Sequence, residues 1–116
     1  MPYFSIETNK LIDKDQNLEL MKKATSFLSG IMNKPEQVIM VAIKPGKPCI
    51  FGGTDDPTAF VQVKSLGLEI GRCPEYSNKL CGFIENEMGI PMDRVFIDFA
   101  NIDGKLFGYN GTTLAK

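Results

Sequence analysis

An α+β fold of α/β type is predicted for this chain: a duplicated βαβ unit giving a four-stranded mixed sheet with two helices on one face. Three observations predict it. The hydrophobic pattern repeats at an offset of about 57 residues, with three matched landmarks in order. Each copy reads as strand, helix, strand and a short hairpin arm. Strand–helix–strand units in so short a chain also imply right-handed parallel crossovers, which place both helices on the same side.

The landmarks are explicit. Tyr3-Phe4-Ser5-Ile6-Glu7 alternates like Phe60-Val61-Gln62-Val63-Lys64, and Glu36-Gln37-Val38-Ile39-Met40 reads like Asp93-Arg94-Val95-Phe96-Ile97. Ile50-Phe51-Gly52 reads like Leu106-Phe107-Gly108. The first helix is expected from about Asp15 to Met32. Leu18, Met21, Thr25, Leu28 and Met32 fall on one face, and Leu20, Ala24, Phe27 and Ile31 form a second stripe, so this helix is broadly buried. Asp13 or Asp15 caps its start, and Asn33 with Pro35 beyond ends it. The second helix is expected from about Pro74 to Met88, with Pro74 suited to the first helical position and Gly89 to termination. Its inner face is Tyr76, Leu80, Phe83, Ile84 and Met88. Val38–Ile43 and Val95–Phe99 are apolar enough for interior strands. With both helices on one side, the other sheet face lies bare. Depending on strand phase, it takes several of Phe4, Ile6, Val61, Val63, Met40 and Phe99, a patch that self-association would cover.

The 116 residues suit one domain spanning 1–116, with pseudo-repeat halves 2–57 and 58–116. A chain of that size buries roughly 65% of its unfolded surface and needs no staples. Charge is balanced, with 13 basic and 14 acidic residues, and no basic run exceeds Lys22-Lys23, which argues against nucleic acid as a partner. No apolar run is long enough for membrane insertion. The N-terminus carries Glu7 early and has no long apolar core, so a cytoplasmic location is expected, with secretion by a leaderless route left open.

The three cysteines, Cys49, Cys73 and Cys81, form no CxxC. If helix joins 73 to 81, their thiols lie about 12 Å apart, too far to bridge. There is no histidine, which removes Ser-His-Asp triads, Cys-His pairs and His-based metal sites. No metal or cofactor is expected. Proton chemistry falls to carboxylates, Lys, Tyr, Cys or the terminal amine.

That amine is the most informative feature. The initiator Met is normally trimmed before Pro, so the mature chain is expected to begin at Pro2. A terminal proline is a free secondary amine, able to act as base or nucleophile. Termini are usually frayed. If the first strand is central, this amine is held inside the fold. Among the loops, Phe51-Gly52-Gly53-Thr54-Asp55-Asp56-Pro57 reads as a tight turn between the copies and lacks the Lys-Ser/Thr of a phosphate loop. Ser65-Leu66-Gly67 ends the third strand where backbone can approach a ligand. Lys34 is either a solvated cation near a helix C-terminus or a fixed charge that receives an anionic substrate. Asn110-Gly111-Thr112 matches a glycosylation sequon and reads as a turn.

Taken in order, Met1-Pro2, Thr8-Asn9, Lys34-Pro35, FGGTDDP at 51–57, Ser65-Leu66-Gly67, Leu80-Cys81-Gly82, Asp93-Arg94-Val95-Phe96-Ile97 and Gly108-Tyr109-Asn110-Gly111-Thr112 resemble the macrophage migration inhibitory factor family of the tautomerase superfamily. The resemblance covers essentially the whole chain. It implies a homotrimer of duplicated βαβ subunits, with sheets forming the inner wall and a pocket at each subunit interface. It also implies tautomerisation of phenylpyruvate- or dopachrome-like small substrates. Pro2 matches the catalytic base. Lys34, Ser65 and Leu66 match pocket positions of the same subunit, Phe96 and Asp98 those of a neighbour. Phe107, Tyr109 and Leu114 match the pocket mouth, and Val38 a rim position.

The chain departs from better-known members where Phe96 replaces a tyrosine, Asp98 an asparagine, Tyr109 a tryptophan, Leu114 a phenylalanine and Val38 a tyrosine. The pocket is thereby less aromatic and differently charged. Thr58 and Val61 stand where some members carry CxxC, so a thiol-reductase role does not transfer.

An α-amine with a pKa near 8 is only about 10% neutral at pH 7, so a base at Pro2 needs its pKa lowered. Apolar burial and a cation such as Lys34 push that way, and Asp98 pushes back. Three functions follow: a keto–enol tautomerase of small acids; a secreted cytokine-like protein binding a cell-surface receptor with weak or no catalysis; and, without the resemblance, a ferredoxin-like regulatory module binding a small ligand between subunits.

Overall fold

The computed structural model of the protein describes residues 2–114. Strand β1 (Tyr3–Thr8), helix α1 (Lys14–Met32) and strand β2 (Met40–Lys44) form the first unit; strand β3 (Ala59–Leu66), helix α2 (Cys73–Met88) and strand β4 (Val95–Ile102) form the second. A small hairpin of β5 (Gly108–Tyr109) and β6 (Thr112–Thr113) follows. The sheet order is β2-β1-β3-β4. β1 pairs in parallel with β2 and β3 with β4, while the central β1–β3 pair is antiparallel, so the sheet is mixed as expected.

Local chemistry sets the element ends. The Asp13 carboxylate accepts the Gln16 N–H at 2.8 Å and caps α1, satisfying one of the helix's free donors. Asn33 ends α1 in the left-handed region at φ 54°, and Gly89 ends α2 at φ 69°, where the missing Cβ removes the steric penalty. Lys10 reaches across to donate to the Met88 carbonyl at 2.6 Å, occupying one of the last free acceptors of α2. β2 begins two residues later than expected, because Glu36–Val38 is a 3-10 turn in which the Val38 N–H donates to the Pro35 carbonyl. The same device precedes β4, where Arg94 N–H donates to the Pro91 carbonyl.

The core lies between the sheet and the two helices. Phe4, Ile6, Val61 and Val63 are fully buried against Leu28, Leu80 and Ile84, each side chain contributing about 1.5–3 kcal/mol by leaving water. Two expectations need correction. The buried stripe of α1 is Leu20, Ala24, Leu28 and Met32, whereas Leu18 is 49% exposed. Spacing alone gave two adjacent stripes, and docking on the sheet buried Leu20 and Ala24 of the second together with Leu28 and Met32 of the first.

The second correction concerns the bare sheet face. Phe4, Ile6, Val61 and Val63 point into the core, and Phe99 packs toward Tyr76 of α2 with ring centroids 6.5 Å apart. The face away from the helices instead carries Ser5, Glu7, Lys44, Gln62, Lys64 and Asp98, with Tyr3, Met40, Phe60 and Phe96 among them. The helices need an apolar floor, and one strand face supplies it. The outward phase is therefore amphipathic, with Met40 at 66% and Phe96 at 61% exposure and a Lys44–Glu7 pair at 3.7 Å.

Candidate functional site

β1 is an interior strand, so residue 2 is carried into the fold at the strand's N-terminal end. Pro2 is buried, and its carbonyl accepts the Met40 N–H at 3.1 Å, which extends the β1–β2 ladder and fixes the residue. Beside it opens a cleft of about 450 Å³. Val38 and Met40 line one side, Phe107 and Tyr109 another, and Tyr3 and Lys64 complete the sheet wall. Tyr109 is presented by the β5–β6 hairpin. Its two-residue turn, Asn110-Gly111, has both φ values positive at 53° and 82°, as a tight hairpin turn requires.

The remaining expected residues divide among neighbouring places. Val38, Leu66, Tyr109 and Leu114 line an adjoining open recess of about 850 Å³, which shares Val38 and Tyr109 with the Pro2 cleft. Lys34 and Ser65 line a third, small recess of about 140 Å³, together with Asn33 and Tyr76. The Lys34 carbonyl accepts the Ser29 hydroxyl at 2.6 Å, which holds its backbone against the end of α1. Ser65 is buried, and its hydroxyl donates to the Leu66 carbonyl at 3.2 Å. Gly67 has φ 62° and open space where a Cβ would stand, so backbone conformation alone asks for glycine there.

Phe96 and Asp98 are not brought to this cleft within one subunit. They lie on the outward face of β4 in register with Phe60 and Gln62, toward the opposite end of the sheet from Pro2. The Phe96 ring packs tilted against that of Phe51, with centroids 4.9 Å apart.

Residues not singled out from the sequence prove informative. Lys64 lies directly opposite Tyr3 in the β1–β3 ladder and lines the Pro2 cleft. The alternation of the third strand carried a signal for it, since Val63 and Ser65 turn inward and Lys64 must turn outward. At the other end of the sheet, Arg94 donates to the carbonyls of Pro57, Phe51, Thr54 and Asp56 at 2.9–3.3 Å. Asn9 donates to those of Cys49, Asp55 and Asp56 and accepts the Thr58 N–H. The FGGTDDP linker is thus a turn clamped by two side chains.

Burial pushes the Cys81 thiol and the Tyr76 phenol upward from their ordinary values, which keeps both neutral near pH 7. The cysteines are free, with Cys49 exposed, Cys73 half-buried and Cys81 buried. Among the described residues, no helix is long and apolar enough to cross a membrane.

Comparison with known proteins agrees with this architecture. The family profile described as Macrophage migration inhibitory factor (MIF) matches residues 1–115. The macrophage migration inhibitory factor homolog of Trichuris trichiura is 35% identical over 114 residues, covering 97% of this chain and 99% of the relative. The Mus musculus macrophage migration inhibitory factor is 33% identical over 118 residues, covering 99% of this chain and all of the relative. Among solved structures, the homologue from Prochlorococcus marinus superposes with a TM-score of 0.89 at 36% identity, covering 97% of this chain and 98% of that one. The Trichinella spiralis protein superposes with a TM-score of 0.87 at 31% identity, covering 96% and 98%. The chain therefore belongs to the macrophage migration inhibitory factor family of the tautomerase superfamily.

Proposed function

We propose that this protein, once Met1 is removed, is a keto–enol tautomerase of phenylpyruvate- or dopachrome-like small substrates, with the Pro2 secondary amine as its base. The observation that carries this reading is the burial of Pro2 on an interior strand beside a cleft walled by Val38, Met40, Phe107 and Tyr109. Family membership supports tautomerase chemistry in general.

The neutral amine takes a proton from the carbon next to the substrate carbonyl. The released electron pair forms the carbon–carbon double bond, charge moves to the carbonyl oxygen, and that oxygen gains a proton to give the enol. The reverse sequence regenerates the keto form. The base must be neutral at working pH, and apolar burial disfavours its charged form. The phenols of Tyr3 and Tyr109 border the cleft and are donors suited to an oxygen that gains charge. Lys34, Ser65 and Leu66 are proposed as further substrate-binding residues, with Leu114 at the mouth.

The same reading includes one domain in two pseudo-repeat halves, assembled as a homotrimer in which a neighbour supplies Phe96 and Asp98. Exposed Met40, Phe60 and Phe96 on the outward sheet face support burial against other copies. A second role, as a leaderless secreted cytokine-like protein with a cell-surface receptor, is compatible because an outer surface and the cleft are separate sites. Family membership supports it in general.

The test is ketonisation of hydroxyphenylpyruvate across pH by protein whose N-terminus is confirmed as Pro2, beside Pro2→Gly. Turnover lost in the variant supports the amine as base. Turnover retained there removes Pro2 from the chemistry, and receptor binding unaffected by the substitution assigns signalling to a different surface.

A further inference from the structure

We infer that Asn110 is a self-modification site: its side chain closes onto the Gly111 nitrogen and converts to isoaspartate, which releases Tyr109 from the wall of the Pro2 cleft. The chemistry needs only water and this hairpin, and it does not rest on the tautomerase reading above.

Asn110 and Gly111 form the tip of the β5–β6 hairpin, and both are exposed. No other asparagine of the chain is followed by glycine. Without a Cβ, Gly111 leaves its nitrogen open to the side-chain carbonyl carbon of the residue before it. No neighbouring group stands within 4 Å of the place a Gly111 Cβ would take. Among the described residues, neither the Asn110 side chain nor the Gly111 N–H has a hydrogen-bond partner.

The other asparagines are held. Asn9 and Asn17 donate to backbone carbonyls, and Asn101 accepts the Leu68 N–H. Asn78 and Asn86 precede amides inside α2, and Asn33 precedes the Lys34 N–H, which donates to the Ser29 carbonyl. Asp103 also precedes a glycine, but its carboxylate accepts the Lys105 N–H at 2.9 Å.

The Gly111 nitrogen attacks the Asn110 side-chain carbonyl carbon and gives up its proton. The bond from that carbon to Nδ2 breaks, and Nδ2 leaves as ammonia with the proton. Water then opens the cyclic imide. Attack at the side-chain carbonyl gives aspartate; attack at the main-chain carbonyl gives isoaspartate, with one more methylene in the backbone. A two-residue turn has no slack for it. The ladder has only the pairs Gly108–Thr113 and Tyr109–Thr112, with the Leu114 N–H on the Phe107 carbonyl beyond them. An added backbone carbon at the tip shifts that register. Tyr109 lines both the Pro2 cleft and the adjoining recess, and Phe107 lines the cleft, so both cavities change shape.

The test ages the Pro2-terminated protein, in its native oligomer, in mildly alkaline buffer beside Asn110→Gly, with freshly prepared Asn110→Asp as a third sample. Gly-Gly and Asp-Gly both suit this turn, and Asn110→Gly has no side chain to cyclise. The tryptic peptide that begins at Leu106 is followed by mass and by isoaspartyl methyltransferase labelling, and the Val38 and Phe107 amides by NMR. That peptide is expected to convert and label before any other, with Val38 and Phe107 resonances shifting in the converted fraction. Asn110→Gly should stay unlabelled there, and fresh Asn110→Asp should keep native resonances at both positions.

Earlier conversion at another asparagine or at Asp103, or labelling of this peptide in Asn110→Gly, overturns the site. Isoaspartate formed with Val38 and Phe107 unchanged overturns its effect on the cleft, as do equal shifts in fresh Asn110→Asp. Turnover is not read, so the outcome is independent of whether Pro2 acts as a base.

Discussion

Where β1 leaves the sheet and β3 and β4 enter it, Asn9, Thr58 and Arg94 direct their polar atoms onto backbone carbonyls and amides. The Thr58 hydroxyl donates to the Arg94 carbonyl at 2.6 Å, and the Thr8 hydroxyl donates to the Thr58 carbonyl at 2.8 Å. At the opposite end, where β1 begins, Pro2 and Lys64 face an apolar cleft, and Lys64 has no carboxylate partner among the described residues. Both ends contain a cation, turns built on Gly and Asn, and aromatic rings. They differ in whether the polar groups are already satisfied. A side chain whose donors are mostly occupied by loop carbonyls holds that loop, and one left unpaired beside a cavity is available to a ligand.

The comparison is most sharply tested by exchanging function for stability at each end. Pro2→Gly is expected to lower kcat/KM for hydroxyphenylpyruvate by about 10²–10⁴-fold, the range for loss of a general base, with little change in Tm. Arg94→Ala should do the reverse. It removes four donor contacts to the linker, and unfolding free energy by urea denaturation should fall by about 2–4 kcal/mol, with turnover per folded molecule retained. A large loss of turnover in folded Arg94→Ala would dissolve the distinction between the ends.

Asn9→Ala should destabilise by a smaller amount, about 1–3 kcal/mol, since the linker keeps its Arg94 contacts. Because Asn9 and Arg94 both hold the Asp56 carbonyl, the double variant should deviate from additivity.

The smallest effect concerns pH. Below the ordinary thiol value of 9.0, Cys81 is protonated in both folded and unfolded chains and contributes no slope. Above it, the unfolded chain loses its proton first while burial keeps the folded thiol protonated, so stability falls as pH rises toward the higher folded value. Tyr76 adds the same sign above 10.0. Tm measured from pH 7 to pH 10 should therefore decline, less steeply in Cys81→Ala, and maleimide should label Cys49 well before Cys81.

Much of the fold was legible because the signals are local. Asp13, Asn33 and Gly89 act on backbone within one helical turn, and Asn110-Gly111 makes its own hairpin. The repeated strand–helix–strand order followed from periodicity. The burial of Pro2 was legible too, since it immediately precedes a strand in the interior of the sheet. The partition of Lys34 and Lys64 between two recesses was not, because it depends on which face of β3 the helices cover and on the β1–β3 register.

What the chain's own order of residues determined is the set of elements, their caps and turns, and the presence of a proline at position 2, just before a strand. The tertiary structure alone decided which sheet face is buried, which stripe of α1 docks, and which lysine stands beside that proline. The physical reason is that capping and turn formation act over three or four residues, where sequence spacing is geometry. Strand phase, by contrast, is a two-way choice that only packing against α1 and α2 resolves, and pairing across the sheet joins residues far apart in the chain.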